Sequence, residues 1–141
     1  MVKYLIVANI SLNESIPIIG NFFQIAHIHN YGAAFSIFQN MQTFLIFITI
    51  GVSAALLFYM LKMMKTGHFS MLLALAGIIG GGIGNLIDRI RLGYVVDFLQ
   101  FGSFPVFNVA DMAVVGGSAL LIFYVIFIDM KQPKGGEIDN E

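Results

Sequence analysis

The sequence predicts a multi-pass helical membrane protein with a small sheet at one surface, and three observations carry that prediction. Of the 141 residues, 58% are hydrophobic and 11% charged, which leaves more apolar surface than a soluble domain can keep from water. Three stretches reach the roughly 20 mainly apolar residues that a helix needs to cross ~30 Å of hydrocarbon. The ionisable side chains gather near the ends of those stretches, with none in the middle of a span.

Taken in order, residues 1–10 (MVKYLIVANI) carry one Lys and a short apolar run without a small-x-small cleavage site, so they read as part of a membrane helix and not as a removable leader. Ten helical residues reach only ~15 Å, so either the start lies upstream of Met1 or the first helix is a truncated one that enters the membrane without crossing it. Residues 16–38 (IPIIGNFFQIAHIHNYGAAFSIF) are rich in Ile and Phe but too interrupted to span. Gly20-Asn21 between IPII and FFQI fits a two-residue type II′ hairpin turn, which makes this segment a small sheet on the membrane surface. The spans follow at residues 43–61, 71–90 and 107–129, and residues 1–130 form one membrane-embedded domain. The tail 131–141 (KQPKGGEIDNE), charged and holding Pro and two Gly, is expected to be disordered.

Orientation follows from basic residues close to the span ends, which favour the cytoplasm. Lys62 and Lys65 lie between the first two spans, and Lys131 and Lys134 follow the last. Both places are therefore inside, and residues 11–42 and about 91–106 are outside.

Composition also excludes function classes. A net charge of −1 offers no basic field for phosphate backbones, so nucleic acid is not a partner. With no Cys there are no disulfides, thiolate metal sites or Cys nucleophiles. His27 and His29 share a strand face but lack a third ligand at metal spacing, and no metal is expected. The run GGGIGN lies inside an apolar span and is no phosphate loop.

Charged groups at membrane depth cost at least ~2.5 kcal/mol on insertion scales, so those that occur are functional candidates. Asn85, Asp88 and Arg89 share one helical face near the outer end of the second span, Asp97 follows Gly93, and Asn108 and Asp111 open the last span. Each also has a structural reading: Asp88 and Arg89 can neutralise each other or anchor the helix, and Asn108 with Asp111 has capping-box spacing. Asp97 in YVVDFLQF has apolar neighbours on both sides and no basic residue beside it. Two carboxylates brought together cannot easily both ionise, so one holds a proton while the other acts as a base, the arrangement by which an acid pair activates water. A short loop with Gly102 and Pro105 lets Asp97 and Asp111 meet, bringing the end of one helix beside the start of the next. Gly80, Gly81, Gly82 and Gly84, with Gly116 and Gly117, flatten two helices for close approach. Alternatives are a small ion- or proton-translocating protein, whose acids would lie at several depths, and a structural subunit in which the acids are caps and anchors.

Three blocks resemble the bacterial lipoprotein signal peptidases, also called signal peptidase II (peptidase family A8): NYGAAFS at 30–36, GNLIDRIRLGYVVDF at 84–98 and FNVADMAV at 107–114. The resemblance implies an all-α polytopic membrane protein, a four-helix transmembrane bundle with an outer-surface β-cradle, in the bacterial cytoplasmic membrane with both termini inside. It implies an aspartic endopeptidase with Asp97 and Asp111 as the catalytic pair, supported by Asn30, Asn85, Asp88, Arg89 and Asn108. The implied reaction is hydrolysis of the bond before the diacylglyceryl-modified cysteine of a prolipoprotein, with membrane lipids around the substrate. Cyclic peptide inhibitors such as globomycin are implied too, and no cofactor. The family also has a complete first helix and an Asp shortly before the position of Lys3, neither of which stands in this sequence.

Overall fold

The computed structural model describes residues 1–32, 38–39 and 41–129. The tail and residues 33–36 of the first resemblance block lie outside the described residues.

Three helices are long and apolar enough to cross a membrane: α2 (Gln42–Met63), α3 (Phe69–Leu92) and α4 (Val109–Tyr124), which runs on through a π-helical turn (Val125–Asp129). The chain is thus a membrane protein by length and composition of its helices. The first helix, α1 (Val2–Asn9), has eight residues and reaches only ~12 Å. Within α2 only Leu45 is buried, and Phe47 and Phe58 stand fully outward. An outer surface as apolar as the interior is what lipid requires.

Local chemistry sets the helix ends. His68 caps α3 by accepting from the Ser70 N–H, and Gly93, at φ +79°, closes it in the left-handed conformation that glycine adopts freely. The chain then enters a strand.

Helices α3 and α4 pack closely because glycine removes the side chains between them. A Cβ on Gly81 would collide with the Ala110 carbonyl oxygen and lie 2.8 Å from Val114 Cγ2, and one on Gly117 would lie 2.7 Å from the Ala74 oxygen. The glycines do not act together as one flat surface, however. Gly82 faces Ser53 and Thr49 of α2, whereas Gly80 and Gly116 face open space. At the end of the bundle away from the sheet, Met71, Leu75, Ile79 and Tyr124 form the apolar core.

The sheet is antiparallel, ordered β1 (Ser15–Ile19), β2 (Phe23–Asn30), β3 (Val95–Phe101). The β1–β2 turn lies where the sequence places it, with Gly20 at φ +48° and Phe22 N–H donating to the Ile19 carbonyl at 2.9 Å. The third strand is a departure from the sequence reading, which leaves about 91–106 as an outer segment and puts Asp97 at the end of a helix. Val95, Val96, Asp97 and Phe98 are buried in a run bounded by Gly93 and Gly102, and such a short apolar run carries no period that separates a strand from the end of a helix.

That strand explains how the two acids meet. Past Gly102 the chain doubles back, and Phe107 pairs with Leu99: Leu99 N–H donates to the Phe107 carbonyl at 2.8 Å and Phe107 N–H returns a bond of 3.0 Å. The next residue is Asn108, the N-cap of α4. Asp97 therefore meets Asp111 from the middle of a strand and not from the end of a helix.

Candidate active site

The seven polar residues singled out in the sequence converge at the end of the bundle covered by the sheet. Asn30 ends β2, Asp97 lies within β3, Asn85, Asp88 and Arg89 occupy the last turns of α3, and Asn108 with Asp111 begins α4. Consecutive helices α3 and α4 are joined by the strand and its return, so the end of one and the start of the other lie on the same side.

Asn108 is fully buried and works in both directions. Its Oδ1 accepts from Ala110 N–H at 2.7 Å and Asp111 N–H at 3.1 Å, and Asp111 Oδ2 accepts from the Asn108 backbone N–H at 3.0 Å, completing the capping box. Because its oxygen is committed to the helix, its Nδ2 must face the site, where it donates to Asp97 Oδ1 at 2.7 Å and Asn85 Oδ1 at 3.1 Å. The structural reading of Asp111 as a cap and its place in the cluster are thus both true.

Asp97 is only 2% exposed. Its second oxygen accepts from Asn30 Nδ2 at 2.9 Å, and Asn30 Oδ1 accepts the Gly32 N–H at 2.9 Å. Burial pushes the Asp97 carboxyl up to about 6, with Asp111 acting in the same direction; the bonds from Asn30 and Asn108, and the charge of Lys3, offset part of this. Asn85 Nδ2 donates to Asp111 Oδ1 at 2.7 Å. All four carboxylate oxygens of the pair accept a hydrogen bond from a neutral amide N–H.

Asp88 and Arg89 do not neutralise each other. Asp88 Oδ2 pairs with Lys3 Nζ at 2.6 Å and accepts the Val96 N–H at 3.1 Å, tying α3 to α1 and to β3. Arg89 instead donates to the Gly32 carbonyl at 2.9 Å. Adjacent helical residues point about 100° apart, and these two serve different neighbours.

Lys3 is the site residue that the sequence reading passes over. Besides Asp88, its ammonium donates to Asn85 Oδ1 at 3.0 Å. The signal was present: a charged residue inside an apolar helical run is a functional candidate by the same rule that selected the acids. The histidines lie elsewhere, with His27 Nδ1 on the Ile10 carbonyl at 2.8 Å and His29 Nε2 on His27 Nε2 at 3.1 Å. Among the described residues, no three His, Asp or Glu side chains gather at metal-binding geometry.

A cleft of about 760 Å³ opens over the pair, lined by Asn30, Asp97, Arg89 and Asp111 at its polar end and by Leu45, Ile48, Val114 and Val115 where it runs between the helices. Its walls are mainly apolar. Such a shape suits a ligand with one polar reacting group and a long hydrophobic part.

Comparison with known proteins agrees with this architecture. Residues 1–127 match the family described as Signal peptidase (SPase) II. A lipoprotein signal peptidase of Halothermothrix orenii is 48% identical over 125 residues, covering 89% of this chain and 85% of that protein. One of Enterococcus faecalis is 42% identical over 137 residues, covering 96% and 84%. Two solved structures, described as bacterial membrane enzymes determined by the in meso method, superpose with TM-scores of 0.84 and 0.79 at 31% and 32% identity. They cover 97% and 90% of this chain, and 85% and 84% of their own. With nearly the whole sequence matched and the same backbone arrangement in membrane enzymes, this chain belongs to the signal peptidase II family of membrane proteases.

Proposed function

We propose that this chain is an aspartic endopeptidase that removes signal peptides from prolipoproteins by hydrolysing the bond before the diacylglyceryl-modified cysteine, with Asp97 and Asp111 as its catalytic pair. The observation that carries the reading is the pairing of the two carboxylates under amide donors at the polar end of an apolar cleft. Among the described residues the one ion pair is Lys3–Asp88, so no cation touches either carboxylate. Asn108 bridges the two carboxylates, and like charges held by one residue favour a single shared proton.

The desolvated Asp97 holds that proton at rest, and Asp111 acts as general base. A water held between them loses a proton to Asp111 as its oxygen attacks the scissile carbonyl. Asp97 first donates its proton to the carbonyl oxygen, which relieves the charge that develops there. As the tetrahedral intermediate collapses, the C–N bond breaks and the amine of the modified cysteine leaves with a proton from Asp111, while one hydroxyl of the gem-diol returns its proton to Asp97, so that the pair is again singly protonated. The apolar walls keep the acyl chains and the signal helix in a lipid-like surrounding while the peptide bond reaches water at the rim.

Lys62, Lys65, Lys131 and Lys134 at the opposite span ends, with Arg89 and Arg91 as exceptions at the site's own end, support a site at the outer face of the bacterial cytoplasmic membrane. A translocating protein would carry acids at several depths, but Asp88, Asp97 and Asp111 lie together at one end of the bundle, in the last turns of α3, in β3 and in the first turn of α4, and Asp129 stands at the far end of the last span and not within it. The test is a gel-shift cleavage assay in detergent micelles with a diacylglyceryl-prolipoprotein and its unlipidated form. Cleavage of the lipidated form alone, lost in Asp97→Asn and in Asp111→Asn, is expected. Substantial turnover by either variant would refute the pair.

A further inference from the structure

The Asn85 carboxamide sits between three partners whose chemistry permits only one orientation. Its Oδ1 accepts from Lys3 Nζ at 3.0 Å and from Asn108 Nδ2 at 3.1 Å, and its Nδ2 donates to Asp111 Oδ1 at 2.7 Å. The oxygen and nitrogen of a carboxamide are nearly the same size, so nothing steric prevents the group from turning over. Turned over, it would aim an oxygen lone pair at the Asp111 carboxylate and an NH2 group at an ammonium.

Lys3 supplies the stronger of the two constraints. An ammonium has only donors, and its bond to a carbonyl oxygen is charge-assisted. Asn108 Nδ2 is the weaker holder, because it is a neutral donor, its other hydrogen going to Asp97 at 2.7 Å. A lysine needed only to tie α1 to α3 would be satisfied by Asp88 at 2.6 Å. Its second bond goes one helical turn further along α3, to the residue that touches the acid pair.

We propose that Lys3 is a positioning residue for the catalytic pair: it locks the Asn85 carboxamide so that the amide N–H is always delivered to Asp111. It touches neither carboxylate and acts through Asn85. The charged groups facing this cluster are Asp88 and Arg89 from α3, Asp97 from β3 and Asp111 from α4. The inference rests on the reading of Asp97 and Asp111 as the catalytic pair.

The experiment compares the wild-type chain with Lys3→Met and Lys3→Arg in the micellar cleavage assay on a diacylglyceryl-prolipoprotein, with a thermal unfolding scan of each in the same detergent. Asp97→Asn is carried alongside. In Lys3→Met, kcat falls at least about tenfold with KM unchanged, as expected when transition-state alignment and not substrate affinity is lost. Its pH–rate profile moves upward on the alkaline side, since the Lys3 charge that favours ionisation of Asp97 is gone. Lys3→Arg keeps a charged donor and recovers most of the rate.

Lys3→Met with kcat within twofold of wild type overturns the proposal, and so does a rise in KM at constant kcat. If Lys3→Met and Lys3→Arg both lose their unfolding transition, Lys3 is a fold anchor and the proposal fails. An active Asp97→Asn would instead remove the assignment of the pair itself, which separates the two failures.

Discussion

Replacing Asn108 with Ser or with Ala separates the two jobs that one buried carboxamide performs. Its oxygen caps α4 through Ala110 and Asp111, and its nitrogen donates to Asp97 and Asn85. Serine caps a helix about as well as Asn, but its shorter side chain, with the oxygen held at the helix end, places no donor where the Asn108 Nδ2 meets Asp97. Alanine does neither job. The cap is worth about 1 kcal/mol, and the bond to an ionised carboxylate about 1.5–3 kcal/mol. Asn85 Oδ1 retains Lys3 as a donor in both variants, so no acceptor is orphaned on that side.

Asn108→Ser is therefore expected to lose about 1.5–3 kcal/mol at pH 8, where Asp97 is ionised in the free protein, and Asn108→Ala about 1 kcal/mol more. Near pH 4 Asp97 is protonated and the Ser penalty should shrink, because a bond to a neutral carboxyl is worth less. Denaturant unfolding in micelles at the two pH values reads both quantities. A Ser variant as stable as wild type at pH 8 would show that the 2.7 Å bond carries no energy. Equal losses for Ser and Ala would show the same of the cap.

Other consequences are as direct. If Asp97, whose carboxyl is raised to about 6, holds the catalytic proton as proposed, kcat/KM should fall as pH rises through about 6 in the free enzyme, while kcat falls at higher pH because bound substrate covers the cleft; a kcat/KM profile flat from pH 5 to 8 would contradict this assignment. The same raised value has a sign for stability: a carboxyl that binds its proton more tightly folded than unfolded stabilises the fold below the unfolded value of 3.8, and that contribution is lost as pH rises through about 6. The stability of Asp97→Asn relative to wild type should then rise by up to about 3 kcal/mol between pH 4 and pH 8; a difference independent of pH in unfolding scans would refute it. Gly81→Ala should cost about 1–3 kcal/mol and lower kcat, because its methyl would press on the Ala110 carbonyl beside Asp111. Gly80→Ala, facing open space, should leave the unfolding temperature the same or higher, and equal losses for the two would argue against the packing account.

The helices were legible because each signal is local. A run of about 20 apolar residues has few alternatives, and the spans expected at 43–61, 71–90 and 107–129 fall within or close to Gln42–Met63, Phe69–Leu92 and Val109–Ile128. The Gly20 turn was legible for the same reason. Strand β3 was not, because its hydrogen-bonding partners lie in β2, some 70 residues earlier in the chain, and its own pattern is a short apolar run. Among the polar residues, spacing found the cluster but not its pairings. Asp88 and Arg89 are adjacent and opposite in charge, yet Asp88 turns to a lysine 85 positions away and Arg89 to the carbonyl of Gly32. No local rule reports such partners. Lys3 was missed because one basic residue in an apolar first segment reads equally well as a topology signal.

The chemical types at the site also explain why asparagine is so prominent there. An acid pair that shares a proton needs its carboxylates held still without being forced to ionise. A guanidinium or ammonium in direct contact would hold them but would favour two charges over one shared proton. Carboxamides hold an oxygen by a directional bond and bring no net charge. Among the described residues, Asn30, Asn85 and Asn108 make every side-chain bond to the two acids, while two cations stand one bond further back, Lys3 on Asn85 and Asp88, and Arg89 on Gly32, whose N–H fixes Asn30. The cations set the orientation of the amides, and the amides set the acids. Replacing an asparagine of this set with aspartate would keep the shape and add a third carboxylate, changing the proton count of the whole cluster. Geometry alone is therefore too weak a description of this site: neutrality of the donors is part of what the sequence encodes.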